Sequence, residues 1–167
     1  MMTLHHAKSD GMTNLRATGN AGGESRLAGI EVALLTLRLL ERWRAAAGSQ
    51  NAAIVLLAVV AISAEKLTRA ELEDEFHSLA EPVPADLLSK CNVSSIAAAT
   101  GFNRETTRRY VNQLVEKGIL ERSADGAIAF VPGYLQREEI ADLLQVQLEL
   151  LSRSANELLR LGALSGG

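Results

Sequence analysis

Three arginines stand close together at helical spacing in this chain: Arg104, Arg108 and Arg109. Asn103 precedes them, Thr106 and Asn112 lie among and after them, and Arg122 follows downstream. A guanidinium is planar and permanently charged, and its fork of donors matches the paired oxygens of a phosphate or the O6 and N7 edge of guanine. Asn103, Thr106 and the free amides at a helix start suit phosphate oxygens as well. This is the chemistry of polyanion recognition, in which no bond is made or broken. The chain presents no Ser/His/Asp set, no glycine-rich phosphate loop and no metal-ligand spacing, so neither catalysis nor a cofactor is expected.

The charge distribution agrees with a local anion-binding surface. The chain carries a net charge of −3, which argues against a wholly basic nucleic-acid binder. Between residues 90 and 132 there are six basic residues (Lys90, Arg104, Arg108, Arg109, Lys117, Arg122) against four acidic ones (Glu105, Glu116, Glu121, Asp125). That stretch is therefore +2, and the remainder of the chain is −5.

The elements that must position these groups are legible from local signals. Asn92 is a good N-cap for a short helix carrying Ile96 toward a core and small Ala97 where a second helix crosses. Gly101 follows its last turn, where a left-handed residue allows a sharp bend, and Phe102 fills the corner. Asn103 caps a second helix, 104–117, whose inner face reads Thr107, Val111 and Leu114, with Tyr110 and Val115 alongside. Gly118 ends it. Residues 119–122 read as a strand, Asp125-Gly126 as a hairpin turn, and 127–131 as the return strand.

The run Ile96-Ala97, Thr100-Gly101-Phe102, Arg104, Thr106, Arg108-Arg109-Tyr110-Val111, Leu114-Val115 and Gly118-Ile119-Leu120 resembles bacterial winged helix-turn-helix regulators of the GntR, MarR and IclR types. The resemblance covers about a quarter of the chain, and Thr107 stands where a branched apolar residue is common. It implies a mostly α fold: a winged helix-turn-helix with a small β-hairpin wing and flanking N- and C-terminal helices. It also implies a sequence-specific DNA-binding transcription regulator with helix 104–117 in the major groove of double-stranded DNA. The DNA-binding residues would be Asn103, Arg104, Thr106, Arg108, Arg109, Asn112 and Arg122. The alternative is a protein-protein interaction module that keeps the winged fold without binding DNA.

Around this module the pattern is helical. Hydrophobic residues make up 47% and aromatics only 4%, a mix that favours packed helices over a sheet sandwich. Residues 1–25 read as a flexible arm and 26–91 as a helical N-terminal region. The module itself spans 92–135, and 136–167 are a dimerisation helix and tail. In the second region, Leu27, Ile30, Leu34 and Leu37 follow helical spacing, Gly48 ends that helix, and Ser49 or Asn51 can cap the next. The next helix holds the longest apolar run, eleven residues at 52–62, too short for the roughly 18–20 of a membrane span. It reads as plain core, the alternative being the lining of an effector pocket; a small-molecule effector is left open as a further partner.

Thr68 to Glu71 form a capping box opening an acidic helix that Pro82 and Pro84 stop, with a short helix to Lys90 after it. Its Glu71, Glu73, Asp74 and Glu75, near His77, read as a solvated face, and His5-His6 is a weak metal signal. Cys91, the single cysteine, reads as a packed thiol in a cytoplasmic protein. Near the C-terminus, Ile140, Leu143, Leu144, Leu148, Leu151, Leu158 and Leu159 form a stripe on one long helix, 137–161. Covering it by a two-fold contact makes a homodimer the expected state, built mainly by this helix, with residues 27–46 left open as a second contributor.

Overall fold

The computed structural model describes residues 14–18, 25–65, 81–84 and 87–166. The capping box at 68–71, the acidic face with His77, the His5-His6 pair and part of the expected short helix to Lys90 lie outside the described residues. In chain order the elements are β1 (Leu15–Ala17), α1 (Ser25–Ala47), α2 (Gln50–Ser63), α3 (Val93–Thr100), α4 (Arg104–Glu116), β2 (Leu120–Arg122), β3 (Ile128–Phe130), a single 3-10 turn (Tyr134–Gln136), α5 (Glu138–Arg160) and β4 (Leu164–Gly166). The fold is mostly helical, with two small antiparallel two-stranded sheets, β1–β4 and β2–β3. No single helix among the described residues is long and apolar enough to cross a membrane.

The chain divides into two compact units. One is continuous, Leu37–Leu148; the other joins residues up to Thr36 with those from Glu149 onward.

The continuous unit is built on α2. Ser49 caps it, its Oγ accepting from the Ala52 amide at 3.2 Å. With apolar residues on every side, this helix can only be stable inside, and Ala52, Ala53, Val55, Leu56 and Val59 are at most 1% exposed. α3 and α4 both pack on α2 and on each other. They contribute Ile96 from α3 and Val111, Leu114 and Thr107 from α4, all without exposure. Thr107 avoids a buried-hydroxyl cost because its Oγ1 donates to the Asn103 carbonyl at 3.0 Å.

α3 opens with a capping box. Asn92 Oδ1 accepts from the Ser94 and Ser95 amides at 2.9 and 3.0 Å, and Ser95 Oγ accepts from the Asn92 amide at 3.0 Å. Gly101 closes α3 at φ 73°, its amide donating to the Ala97 carbonyl. The bend to α4 therefore needs a left-handed residue. No neighbour adds a second reason for glycine: a Cβ at Gly101 would meet nothing within 4 Å.

In the hairpin, Leu120 pairs with Phe130 and Arg122 with Ile128. Side chains alternate along a strand, so Leu120 and Arg122 share one face. Cys91 extends this sheet by one isolated antiparallel bridge, the Ile128 amide donating to its carbonyl at 2.8 Å. The Cys91 side chain is fully buried, and burial pushes its thiol pKa up. The N-terminal part of α5 also belongs to this core: Ile140 is buried and Leu144 packs against the cluster. This corrects the expectation that the whole stripe from Ile140 to Leu159 awaits a partner.

In the discontinuous unit, β1 pairs with β4 in the register Leu15↔Gly166, Arg16↔Ser165 and Ala17↔Leu164. Thr18 Oγ1 adds a bond to the Gly162 carbonyl at 2.6 Å. A segment read from composition as part of a flexible arm is thus a strand, held by the residues read as a tail. α1 and α5 are tied in this unit by Ser154 Oγ donating to Glu31 Oε1 at 2.5 Å.

Gly101 gives a clean test of the turn. With open space around its Cβ, substitution meets only the backbone penalty for a left-handed β-carbon, about 1–2 kcal/mol. Gly101→Ala and Gly101→Val are expected to lower the urea midpoint by that order, and Gly101→Asn by less, because Asn visits this region more readily. Equal losses for Asn and Val would show that φ is not what selects glycine there.

Candidate nucleic-acid interface

Asn103 begins the site as a cap. Its Oδ1 accepts from the Thr106 amide at 2.8 Å, which holds the first turn of α4 in place. α4 is strongly amphipathic: Thr107, Val111 and Leu114 are buried, while Arg104, Glu105, Arg108, Arg109 and Asn112 are exposed and Thr106 is half-buried. The core contacts decide this orientation, since only one face of the helix carries apolar bulk.

The expected site residues come together in two groups. On α4, Arg108 Nη1 lies 2.9 Å from Glu105 Oε2, one turn before it. Arg104 is exposed at the start of the helix and makes no hydrogen bond or ion pair with the described residues. Arg109 stacks over the Tyr110 ring, 4.9 Å from its centroid, and its Nη2 donates to the Tyr110 hydroxyl at 3.2 Å. The second group joins helix and hairpin: Arg122 Nη2 on β2 donates to Asn112 Oδ1 on α4 at 3.2 Å. Six of the seven expected residues thus lie on α4 or at its cap, and the seventh reaches it from the hairpin.

These attachments are weak by their nature. An exposed ion pair such as Glu105–Arg108 contributes only about 0–1 kcal/mol. The guanidinium can therefore exchange its carboxylate for a stronger acceptor at little cost. A phosphate offers charge-assisted bonds and counterion release in the same step. Glu105, the one acid in the first turn of α4, is the group such an exchange would displace.

Two residues that sequence reasoning did not single out take part in the site. Asn51 on α2 donates from Nδ2 to the Tyr110 hydroxyl at 2.9 Å, which with the Arg109 bond draws the phenol pKa below its ordinary value. The sequence suggested Asn51 only as a cap; Ser49 takes that role, and this leaves Asn51 free for Tyr110. Lys90 reaches across to the hairpin turn, its Nζ 3.2 Å from Asp125 Oδ2. No local signal could have joined these pairs, which lie 59 and 35 residues apart.

Asp125 organises that turn. Bonds from the Ser123 hydroxyl first, then from the Ala127 amide and Lys90, hold its carboxyl at about 2. Comparison with protein-family models, with curated proteins and with solved structures gives no match in any of the three.

The Asp125 contacts predict a specific acid response. Its folded value lies below the 3.8 of an unperturbed carboxyl, so its contribution to stability is complete above about pH 4 and is lost as pH falls toward about 2. In urea melts taken between pH 2 and 5, Asp125→Asn is expected to flatten the stability slope in that window and leave it unchanged above it. An unaltered slope below pH 4 would remove the carboxyl from the turn.

Proposed function

We propose that the chain is a sequence-specific DNA-binding transcription regulator of the winged helix-turn-helix kind, acting in the cytoplasm as a homodimer. α4 is the helix that enters the major groove, and the β2–β3 hairpin is the wing. The observation that carries this reading is the form of α4. It is a capped helix turned sharply against α3 at Gly101 and anchored inward by Thr107, Val111 and Leu114. Its Arg104, Arg108, Arg109 and Asn112 stay outward, and Asn112 accepts a bond from Arg122 of the hairpin. The Cys91–Ile128 bridge supports the wing, since it ties the segment before α3 to the return strand of the hairpin.

The roles divide by geometry. Arg104 and Arg108 lie in the first turns of α4, the part of a recognition helix that meets base edges. Arg109, stacked on Tyr110, and Arg122, on the hairpin, suit the phosphates that flank the groove. One module with a local charge of +2 makes few phosphate contacts. Two modules in one particle raise the effective concentration of the second contact and read half-sites about 34–36 Å apart.

Sequencing of genomic fragments retained by the purified protein supplies the binding site, and gel shifts on that site test the assignment. Arg104→Ala is expected to cost about 1–3 kcal/mol and to relax preference at one base pair. Arg122→Ala is expected to weaken all sequences alike and to reduce the salt slope by about one. If the Arg104, Arg108 and Arg109 triple alanine protein keeps its circular dichroism and still binds DNA as tightly as the parent, α4 is not the reading helix.

A further inference from the structure

The exposed large apolar residues of this chain are not scattered. Those on α1 are Leu27, Ile30, Val32, Leu34 and Leu37, between 39% and 64% exposed. Those on α5 are Leu148, Leu151 and Leu159, and Leu15 lies on β1. None lies between residues 38 and 147 among the described residues. The apolar surface open to water therefore belongs to the discontinuous unit and to the residues at its border.

Among that unit's described residues Ser154 alone is buried, and no apolar side chain is. A three-residue two-stranded ribbon and the Ser154–Glu31 bond supply little of the apolar burial that holds a fixed arrangement in water. Among the described residues no element covers these faces.

The spacing says what kind of partner. Leu27, Ile30, Leu34 and Leu37 follow the 3-4-3 interval of a helix-pairing seam. At 100° per residue this seam lies to one side of the stripe of half-buried Ala28, Glu31 and Leu35, which holds the Glu31 bond to Ser154. α5 repeats the arrangement: Leu148, Leu151, Ala155 and Leu159 share a stripe about a quarter turn from the face that carries Ser154. Each helix thus has one face used within the chain and a leucine-rich stripe left over, with Val32 of α1 standing apart from that stripe. The described charges of the unit are four arginines (Arg16, Arg26, Arg153, Arg160) and three glutamates (Glu31, Glu149, Glu157), so a second copy meets no excess of like charge.

We infer that the discontinuous unit, with Leu37 at its border, is a dimerisation module whose hydrophobic core forms between two copies of this chain, with the Leu27–Ile30–Leu34–Leu37 seam of α1 at its centre. Two helical segments from each copy make a four-helix arrangement, and a two-fold axis makes the leftover faces of both copies cover each other. The α1 seam, rather than α5 alone, carries the contact. This rests on the homodimer of the proposed function but not on DNA binding, and its test reads mass alone.

Light scattering on the full chain at tens of micromolar is expected to give twice the chain mass. An Ile30→Glu/Leu34→Glu protein and an Ile30→Lys/Leu34→Lys protein are each expected to be monomeric, and an equimolar mixture of the two to recover the dimer mass. If the charged variants lose helix content on their own, the mixture still decides, because only pairing through this seam restores both helix and mass. A monomeric parent leaves the face to some other protein and overturns the inference. So does a dimer that both variants leave intact, or a mixture that stays monomeric. DNA binding that fails while the dimer stands counts against the reading helix and not against this module.

Discussion

Burial of α2 is the constraint on which the rest of the continuous unit depends. Its eleven-residue apolar run has no polar face to offer water, so other elements must enclose it. α3, α4 and the hairpin do this from different sides, and in doing so each acquires a fixed orientation. Burying one Leu or Val contributes about 1.5–3 kcal/mol, whereas an exposed ion pair contributes about 0–1. Thr107, Val111 and Leu114 therefore decide which way α4 faces, and the arginines have no say in it. Their position outside is a consequence of what the other side of the helix must do.

That division of labour suits a surface that must change partners. Groups that fix the fold are dry and tightly packed, and groups that meet a ligand are wet and loosely held. Glu105 and Arg108, or Asn112 and Arg122, keep the side chains extended without a large stake in keeping them paired. Arg109 is held more firmly, because the Tyr110 ring supports its plane and Asn51 fixes the Tyr110 hydroxyl. For the proposed DNA ligand, the local positive charge in a chain that is otherwise acidic would make attraction directional and salt-dependent.

The two units stand in contrast. In the continuous one, the described helices α2, α3 and α4 find apolar partners within the chain, as does the start of α5 at Ile140. In the other, a hydrogen-bonded ribbon and the Ser154–Glu31 bond align the pieces, yet Leu27, Ile30 and Leu34 of α1 stay wet. Hydrogen bonds can set register there, but they do not supply the burial that normally accompanies it.

The short-range features were legible in the sequence because each has a local cause. Asn92 and Asn103 announce helix starts through side chains that reach two or three residues ahead. Gly101 announces a left-handed turn through its missing Cβ, and Thr107, Val111 and Leu114 announce a buried face through their period. Asp125-Gly126 announces a hairpin, and all these elements fall within a residue or two of where local chemistry put them. What the tertiary structure alone decided is every pairing that spans the chain. Leu15 with Gly166, Cys91 with Ile128, Asn51 with Tyr110 and Glu31 with Ser154 have no local signature, since each residue is ordinary in its own neighbourhood. The same holds for α5, where periodicity marks an apolar stripe but cannot say which part is covered. Only the packed chain distinguishes Ile140, buried on its own core, from Leu148 and Leu151, which remain exposed.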